Sequence, residues 1–269
     1  MSGVSAQRAD AARRLVLEAA IAAGTCHIGS SLSIVDVLAV LYADVLPAGP
    51  APGHRFLLSK GHAASALYAT LAGAGVLEPD EVVAGYCADG GSFTGHPERG
   101  VPGVEMTGGS LGHGLGHGVG MALGLRLRHS PGRVFVELSD GEMQEGANWE
   151  AAMAAAHFRL HDLVALIDCN GIQADGALVL DMEPVAAKWR AFGWATQEID
   201  GNDLAAVVAA LAQARAAEGR PHAIVLRTRP GCGVPTLERR EKAHFVRVEP
   251  GEWDALRTEL NKHAEAAYG

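Results

Sequence analysis

The second half of the chain alternates short apolar runs with segments of helical periodicity. The apolar runs cover residues 133–138, 163–168, 194–199 and 222–228. The helical segments cover about residues 115–129, 144–159, 184–192 and 203–217. Buried strands that alternate with helices build a parallel sheet. The sequence therefore predicts an α/β fold, a mostly parallel sheet with helices on both faces, and ligands of such sheets lie beyond the carboxyl ends of the strands.

The first half of the chain predicts helices and a long loop. The helical segments cover residues 5–23, 31–45, 60–73 and 79–86. Ser30 or Ser31 is expected to cap the second of them. Residues 87–116 are rich in Gly, Ser, Thr and Pro and predict a loop, and residues 251–267 predict a packing helix.

Composition excludes several classes of protein. The 269 residues include 22 Lys and Arg and 31 Asp and Glu, a net charge of −9. This balance argues against a nucleic-acid or membrane partner, since both are anionic. The four cysteines form no CxxC motif, which argues against a disulfide framework or a cysteine zinc site. No apolar signal core or run of about 20 apolar residues is present, so a soluble, cytoplasmic protein is expected.

Two polar segments follow neighbouring apolar runs, 30 residues apart. Asp140, Gly141 and Glu142 follow the first run, and residues 170–172 (Asn-Gly-Ile) follow the second. A carboxylate, an amide oxygen and a free backbone carbonyl suit Mg²⁺ or Ca²⁺, with diphosphate oxygens and water completing the coordination. From residue types alone, a helix-capping Asp and a turn Asn are the more common interpretation, and the metal site is the alternative.

A glycine-rich stretch, residues 108–120, has Gly at every second position from 112 to 120. It does not match GxGxxG and no clear strand precedes it, so a Rossmann loop fits poorly. Close approach of a ligand to the backbone is one interpretation of residues 108–112. Close helix packing is the better interpretation of residues 114–124.

Four histidines lie in Gly- or Pro-marked segments that predict loops or helix starts. These are His27, His62, His96 and His244. A single histidine is more often a surface residue than a catalyst, but a cluster would suit proton transfer at neutral pH. Sequence spacing does not establish whether the four side chains meet.

Together these segments resemble the thiamine-diphosphate-binding N-terminal part of transketolase. The resemblance runs from near residue 10 to about residue 244 and rests on segments 58–69 (LSKGHAASALYA), 94–98 (TGHPE), 107–124 (TGGSLGHGLGHGVGMALG) and 139–176 (SDGEMQEGANWEAAMAAAHFRLHDLVALIDCNGIQADG). The last segment is the most specific, because its Asp-to-Asn spacing and Gly-Ile continuation match the cofactor motif of the family.

The resemblance implies a role for each matching residue. The implied ligands of Mg²⁺ (or Ca²⁺) are Asp140, Asn170 and the carbonyl of Ile172. The implied contacts with thiamine diphosphate are His62, Gly109, Leu111, Asp140, Gly141, Glu142, Asn170 and His244. The implied catalytic residues are His27, His62, His96 and His244. Glu145 matches a glutamate that couples two cofactor sites across a subunit interface.

The implied function is that of the N-terminal subunit of a split transketolase. Residues 1–269 would form one cofactor-binding (PP-type) domain, and a C-terminal transketolase subunit would supply the pyrimidine-binding and C-terminal domains. We expect a heterotetramer with two copies of each chain, inactive without the partner. It would move a two-carbon ketol unit from a ketose or ketose phosphate to an aldehyde.

Other functions of this class stay open at this point. One is a component of another thiamine-diphosphate enzyme that decarboxylates 2-oxo acids or forms acyloins, although the four histidines argue against it. Another is a transketolase-like enzyme of secondary metabolism with a non-standard substrate. A third, a non-enzymatic relative that has kept the fold, is disfavoured because Asp140 and Asn170 are both present.

Several positions depart from the family pattern. Ser139 replaces the first Gly of a GDG motif, Cys232 replaces a Lys, and His113 stands where Gln is common. Residues 235–243 differ from an Asn-rich run, and Phe245 replaces the Gly that follows the last histidine. The charges in residues 238–242 are most simply those of a solvated loop. A changed donor or acceptor is the alternative interpretation.

Overall fold

The computed structural model describes residues 3–46, 53–174, 176–216, 219–247, 249 and 251–268. The helices are α1 (Gly3–Ala23), α2 (Ile28–Leu32), α3 (Val35–Val40), α4 (Ala64–Gly73), α5 (Pro79–Gly85), α6 (Gly114–Leu127), α7 (Gly146–His157), α8 (Val185–Ala191), α9 (Leu204–Ala216), α10 (Pro235–Glu238) and α11 (Trp253–Tyr268). The strands are β1 (Thr25–Cys26), β2 (Arg55–Leu58), β3 (Val134–Ser139), β4 (Leu163–Cys169), β5 (Ile172–Gln173), β6 (Gly176–Ala177), β7 (Ala195–Asp200), β8 (His222–Arg227) and β9 (Val246–Arg247).

Five strands form the central sheet in the order β2-β3-β4-β8-β7, and every neighbouring pair is parallel. Every residue of β3 and β4 is buried. Such strands, covered on both sides, need continuous apolar runs, which is the pattern that the sequence carries there. The predicted α/β fold with a parallel sheet is confirmed.

Helices cover both faces of this sheet because alternate side chains of each strand point in opposite directions. Phe135 of β3 and Leu166 of β4 face the apolar cluster that contains the buried residues of α1, α3, α4 and α9. Val136 and Ala165 face the opposite cluster, which contains buried residues of α6, α7 and α8. The core is therefore divided by the sheet, and the carboxyl ends of the strands are left to form a site.

In the first half of the chain, one strand was not predicted and the expected bounds of one helix were wrong. The edge strand β2 was not predicted, because a four-residue strand shows too little alternation to identify. The helix expected over residues 31–45 begins earlier, at Ile28, and is interrupted at Ser33 and Ile34 before α3. Ser31 lies inside α2, and its hydroxyl accepts a hydrogen bond from Ser65 on α4 (2.8 Å) in place of capping a helix.

Two expectations from composition can be compared with the structure. None of the four cysteines forms a disulfide, and Cys26, Cys169 and Cys232 are buried while Cys87 is exposed. Across the described residues, the helices are too short or too polar to span a membrane.

Candidate active site

The carboxyl ends of the parallel strands place the polar segments side by side. Residues 59–62 follow β2, residues 140–142 follow β3, and residues 170–172 follow β4. Thr228 follows β8, which pairs with β4. Because all of these strands run in the same direction, the segments share one edge of the sheet.

Asp140 joins the two segments that the sequence singled out. One carboxylate oxygen accepts a hydrogen bond from the amide of Gly141 (2.8 Å), and the other accepts one from the amide of Gly171 (2.7 Å). The residue is 2% exposed, and burial together with the nearby Asp168 carboxylate raises the pKa of Asp140 to about 6. A buried carboxylate with this environment favours a cation beside it.

Asn170 is oriented by a hydrogen bond to a buried ion pair between Lys60 and Asp168. Its amide nitrogen donates to Asp168 (2.9 Å), and its amide oxygen accepts from the backbone N–H of Ile172 (3.1 Å). Asp168 also pairs with the Lys60 ammonium (2.5 Å) and accepts hydrogen bonds from Ser33 and Thr228. Lys60 and Asp168 are both fully buried. This network fixes the direction in which the Asn170 amide oxygen can act as a ligand.

These groups fit a hard divalent cation. Asp140 and Asn170 offer side-chain oxygens, and the hydrogen bond from Gly171 to Asp140 holds the 170–172 turn next to Asp140. The backbone carbonyl of Ile172 stays a predicted third ligand. Oxygen ligands of this kind are those that Mg²⁺ and Ca²⁺ prefer. No group of three His, Cys, Asp or Glu side chains suited to a metal occurs in the described part of the chain.

Backbone packing explains the glycines near the site. A Cβ added at Gly61 would lie 2.8 Å from the amide nitrogen of Gly109, so the two loops meet backbone to backbone. Gly109 has φ +138°, a conformation that side chains disfavour. Further along, Gly114 and Gly118 pack closely against Ser59 and Val136, as helix packing predicts. The other glycines expected to pack closely have nothing within 4 Å of an added Cβ, and these are Gly116, Gly120 and Gly124. The chain therefore presents bare backbone along this wall of the site.

Glu142 holds the glycine-rich loop from inside the protein. Its fully buried carboxylate accepts hydrogen bonds from the Ser59 hydroxyl, the amide of Gly112 (2.8 Å) and the amide of Ser139 (3.3 Å). Burial raises its pKa. The carboxylate is thus engaged with the protein, and cofactor contact by Glu142 stays a prediction.

The remaining predicted cofactor and coupling residues lie nearby. Leu111 is half-buried in the glycine-rich loop, and Glu145 is exposed at the start of α7. A Cβ added at Gly112 would lie 2.7 Å from the Cβ of Glu145, so this exposed glutamate borders the same loop. A Cβ added at Gly141 would lie 3.3 Å from Gln173, which leaves little room for a side chain there.

The four predicted histidines form one cluster, although they come from four separate segments. The ring centroid of His27 lies 5.7 Å from that of His62, 5.6 Å from that of His96 and 5.4 Å from that of His244. The rings of His62 and His244 are 4.6 Å apart. Phe245 adds an aromatic ring 4.8 Å from His27.

The environment keeps two of these imidazoles neutral near pH 7. Burial, and then the charges of His244 and His96 when protonated, lower the pKa of His27 to about 4. Burial and the Lys60 ammonium lower the pKa of His62 well below its usual value. A neutral imidazole can accept a proton at one nitrogen and donate a hydrogen bond from the other.

Two departures from the family pattern have local explanations. The Ser139 hydroxyl accepts a hydrogen bond from the amide of Glu142 (3.2 Å), so this side chain supports the turn that presents Asp140. Cys232 is buried, and its carbonyl accepts a hydrogen bond from Arg13 (3.2 Å). Neither change opens or blocks the edge of the sheet.

Lys60 and Asp168 support the site, although neither was predicted to have a role. The sequence signal that could have identified both residues is a charged side chain at or just after the end of an apolar strand. Lys60 comes two residues after β2, and Asp168 is the penultimate residue of β4. A charge in such a place is expected to have a buried partner.

A parallel α/β sheet whose carboxyl edge gathers a buried carboxylate, an oriented amide and bare backbone is typical of an enzyme domain that holds a phosphorylated cofactor through a divalent cation. Comparison with known proteins identifies which domain of this class the chain contains. Residues 4–268 match the family model described as "Transketolase, thiamine diphosphate binding domain". The chain belongs to the transketolase family.

Relatives of similar length are named as parts of transketolases. The chain is 40% identical over 263 residues to the 6-deoxy-6-sulfo-D-fructose transketolase subunit of Clostridium sp. (strain MSTE9), covering 95% of each chain. It is 35% identical over 260 residues to an apulose-4-phosphate transketolase subunit of Phocaeicola vulgatus, covering 94% of this chain and 92% of that protein. The predicted family, and the predicted subunit of a transketolase-like transferase, are confirmed.

Solved transketolases share the fold but are much longer. The transketolase of Campylobacter jejuni superposes with a TM-score of 0.88 at 25% identity, covering 97% of this chain and 43% of that one. The chain thus spans less than half the length of the solved transketolases that it matches.

Proposed function

We propose that this chain is the thiamine-diphosphate-binding subunit of a two-component ketol transferase that passes a two-carbon unit from a ketose or ketose phosphate to an aldehyde. The observation that carries the proposal is the meeting of two groups at one edge of the sheet. Asp140 and the 170–172 loop are joined by a hydrogen bond, and four histidines form a cluster. Each group alone has a structural explanation, but together they match what the reaction needs.

One part of the site would hold the cofactor. Asp140, Asn170 and the carbonyl of Ile172 would bind Mg²⁺ or Ca²⁺, which would supply positive charge to offset the negative charge of the diphosphate. Gly109 and Gly141 would let the diphosphate approach the backbone, with Leu111, His62 and His244 beside it. The buried Lys60–Asp168 pair would keep Asn170 in place without touching the cofactor.

The histidine cluster would handle protons. Bound thiamine diphosphate supplies an electron sink that allows a carbon–carbon bond next to a carbonyl to break and form again. His27 and His62 are neutral near pH 7, so either can take the proton from the substrate hydroxyl that becomes an aldehyde carbonyl. His96 and His244 would hold substrate oxygens by hydrogen bonds and return a proton when the acceptor hydroxyl forms.

We further propose that the chain acts with a partner. Two relatives that it matches over nearly their whole length are named as subunits, whereas it spans 43% of the Campylobacter jejuni enzyme. The partner would be a C-terminal transketolase subunit carrying pyrimidine-binding and C-terminal domains. Glu145, exposed beside the glycine-rich loop, would face a subunit interface, in an assembly with two copies of each chain.

Reconstitution tests this proposal. The chain, a candidate partner encoded beside it, and the two together are assayed with thiamine diphosphate and Mg²⁺ against a panel of ketose donors and aldehyde acceptors. The panel includes phosphorylated and sulfonated sugars, because the names of two relatives specify such substrates. We expect transfer only in the mixture, and a mass of two copies of each chain by light scattering.

Other outcomes would decide between functions. Transfer by the chain alone, equal to that of the mixture, would refute the need for a partner. CO₂ release from simple 2-oxo acids without ketol transfer would favour a decarboxylating or acyloin-forming enzyme. Absence of metal-dependent cofactor binding by the mixture would refute the proposed function itself.

A further inference from the structure

Phe245 places an apolar ring against the histidine cluster. The ring lies 4.8 Å from His27 at an interplanar angle of 64°, and 47% of the residue is exposed. A single exposed phenylalanine is ordinary on a protein surface. This one differs because its neighbour in the chain, His244, and its contact, His27, both belong to the cluster.

A two-stranded ribbon holds the backbone that directly follows Phe245. Thr25 pairs with Arg247 and Cys26 pairs with Val246 in an antiparallel register. His27 directly follows β1 and Phe245 directly precedes β9, so the two residues adjoin the same end of this ribbon. The strand pairing therefore holds the backbone next to each of the two rings that are in contact.

A further backbone hydrogen bond holds the chain before Phe245, at Ala243. The amide of Gly29 donates to the carbonyl of Ala243 (3.2 Å), and a Cβ at Gly29 would lie 2.1 Å from that oxygen. Ala243 and Val246, on either side of His244 and Phe245, are buried. Phe245 thus lies between buried residues on both sides, while its part-exposed ring contacts His27 of the cluster.

A fixed phenyl ring discriminates between substrates by polarity. It offers no conventional hydrogen bond, so a substrate hydroxyl pressed against it would lose water without a replacement partner. A methyl or methylene group at the same place would instead gain from leaving water. Because transfer is reversible, the aldehyde released by the donor and the aldehyde that accepts occupy the same space, so the ring acts on this one substrate portion.

We propose that Phe245 is a specificity-determining residue that selects aldehydes presenting an apolar segment, such as a deoxy or alkyl portion, beside the histidine cluster. This inference rests on the proposed ketol transfer and names the substrate class of the same site. Phe245 does not hold the cofactor, so its removal should change the choice of acceptor and leave cofactor binding intact.

The kinetic test uses the reconstituted complex and two isosteric acceptors. Propanal and glycolaldehyde differ by a methyl group in place of a hydroxyl. Hydroxypyruvate serves as the common donor, because its loss of CO₂ leaves no competing aldehyde. We expect Phe245→Ala to lower the ratio of kcat/KM for propanal over glycolaldehyde about tenfold, whereas Phe245→Leu keeps most of it. The Kd for thiamine diphosphate should not change.

Phe158→Ala is the matched control. Phe158 is similarly exposed, at 44%, and lies at the carboxyl end of α7. It should leave the acceptor ratio unchanged. An unchanged ratio in Phe245→Ala, or an equal fall for both aldehydes, would overturn the inference. So would an equal change of the ratio in Phe158→Ala.

A binding measurement keeps the inference testable if no transfer is found. The imidazole resonances of His27 in the chain are followed by NMR during titration with benzyl alcohol and, separately, with glycerol. We expect a saturable shift with benzyl alcohol only, lost in Phe245→Ala and retained in Phe158→Ala. No shift in the wild type, or the same shift in Phe245→Ala, would overturn the role of Phe245. An inactive complex would instead count against the proposed function.

Discussion

Two regions of the site are built in different ways. The anchor, residues 140–142 and 170–172 with Lys60 and Asp168 behind them, lies at the ends of the central strands and is held by buried hydrogen bonds. The strap, residues 243–247, lies outside the central sheet and is held by the two-stranded β1–β9 ribbon and by the Gly29–Ala243 hydrogen bond. A change in the anchor disturbs the core of the sheet, whereas a change at Phe245 need not. Under the proposed function, a change in the strap would alter substrate preference while cofactor binding stays the same.

The largest expected effect is loss of cofactor binding when the anchor is broken. Asp140→Ala and Asn170→Ala each remove one of three proposed protein ligands of the metal. Loss of a residue that only orients a metal ligand costs about 10–100-fold in metal affinity, so removal of a ligand should cost more. Titration calorimetry of the reconstituted complex with thiamine diphosphate and Mg²⁺ should detect no binding.

An exposed aspartate provides the control for the anchor variants. Asp89 is an exposed turn residue outside the anchor segments, and Asp89→Ala should bind the cofactor as the wild type does. Wild-type binding should also disappear when the metal is chelated. Unchanged cofactor affinity in both anchor variants would show that the metal ligands are assigned wrongly.

The second expected effect is loss of stability when the support behind the anchor is removed. Lys60→Met would leave Asp168 buried without its cation, next to Glu137, a fully buried carboxyl whose oxygens have no hydrogen-bond partner in the described structure. Burial and Asp168 already hold the pKa of Glu137 well above its usual range, and Lys60 opposes that shift. Breaking such a pair should lower the free energy of unfolding by about 3–5 kcal/mol.

The same substitution in an exposed ion pair isolates the effect of burial. Arg257 pairs with Glu18 at 2.8 Å, but both side chains are about 40% exposed. Arg257→Met should cost less than about 1 kcal/mol in urea denaturation of the chain. Similar losses in the two variants would mean that the buried pair contributes no more than a surface pair.

Sequence patterns identified the anchor better than the strap, for a physical reason. Continuous apolar runs mark β3 and β4, and the polar residues that follow such runs must lie at one edge of a parallel sheet. The approach of Lys60 to Asp168 joins residues 108 positions apart, and no local pattern reports a contact over that distance. The direction of the Glu142 side chain, which turns inward to hold Gly112, is likewise set by packing.

The histidine cluster was even harder to predict from local sequence patterns, because its members are far apart in the chain. His27 follows β1 and His244 precedes β9, and the two-residue strands of this ribbon are too short to identify from alternation. Only the family resemblance connected these residues before the structure placed their rings 5.4 Å apart. What the resemblance did not supply is the effect of Phe245, because the family pattern has glycine there.

The third expected effect separates catalysis from binding at the cluster. His96 touches the ring of His27, while its carbonyl accepts hydrogen bonds from Tyr68 (3.0 Å) and Thr94 (2.6 Å). These bonds hold the backbone whatever the side chain is. His96→Ala should therefore leave the Kd of thiamine diphosphate near normal while kcat falls about 100-fold, as for loss of an acid–base group. Unchanged turnover would remove His96 from the catalytic residues.

The smallest expected effect is the pH dependence of the folding stability of the chain without cofactor. The pKa of His27 is lowered to about 4 by burial, and next by His244 and His96, whereas an unfolded histidine titrates near 6.5. Between these values the unfolded chain binds more protons than the folded chain, so stability falls as the pH falls from 6.5 towards 4. At pH 5 this single group should cost about 2 kcal/mol relative to pH 7.5.

Comparison of variants isolates that cost from other titrating groups. Asp140, whose pKa is raised to about 6, changes stability in the opposite direction, but it does so equally in wild type and in His27→Gln. Urea denaturation at pH 7.5 and 5.0 should therefore show a smaller loss of stability in His27→Gln than in wild type. The exposed His157, changed to Gln, should lose as much as wild type does. Equal losses in all three proteins would mean that His27 is protonated in the folded chain at pH 5, and it could not then act as a neutral base in mildly acidic solution.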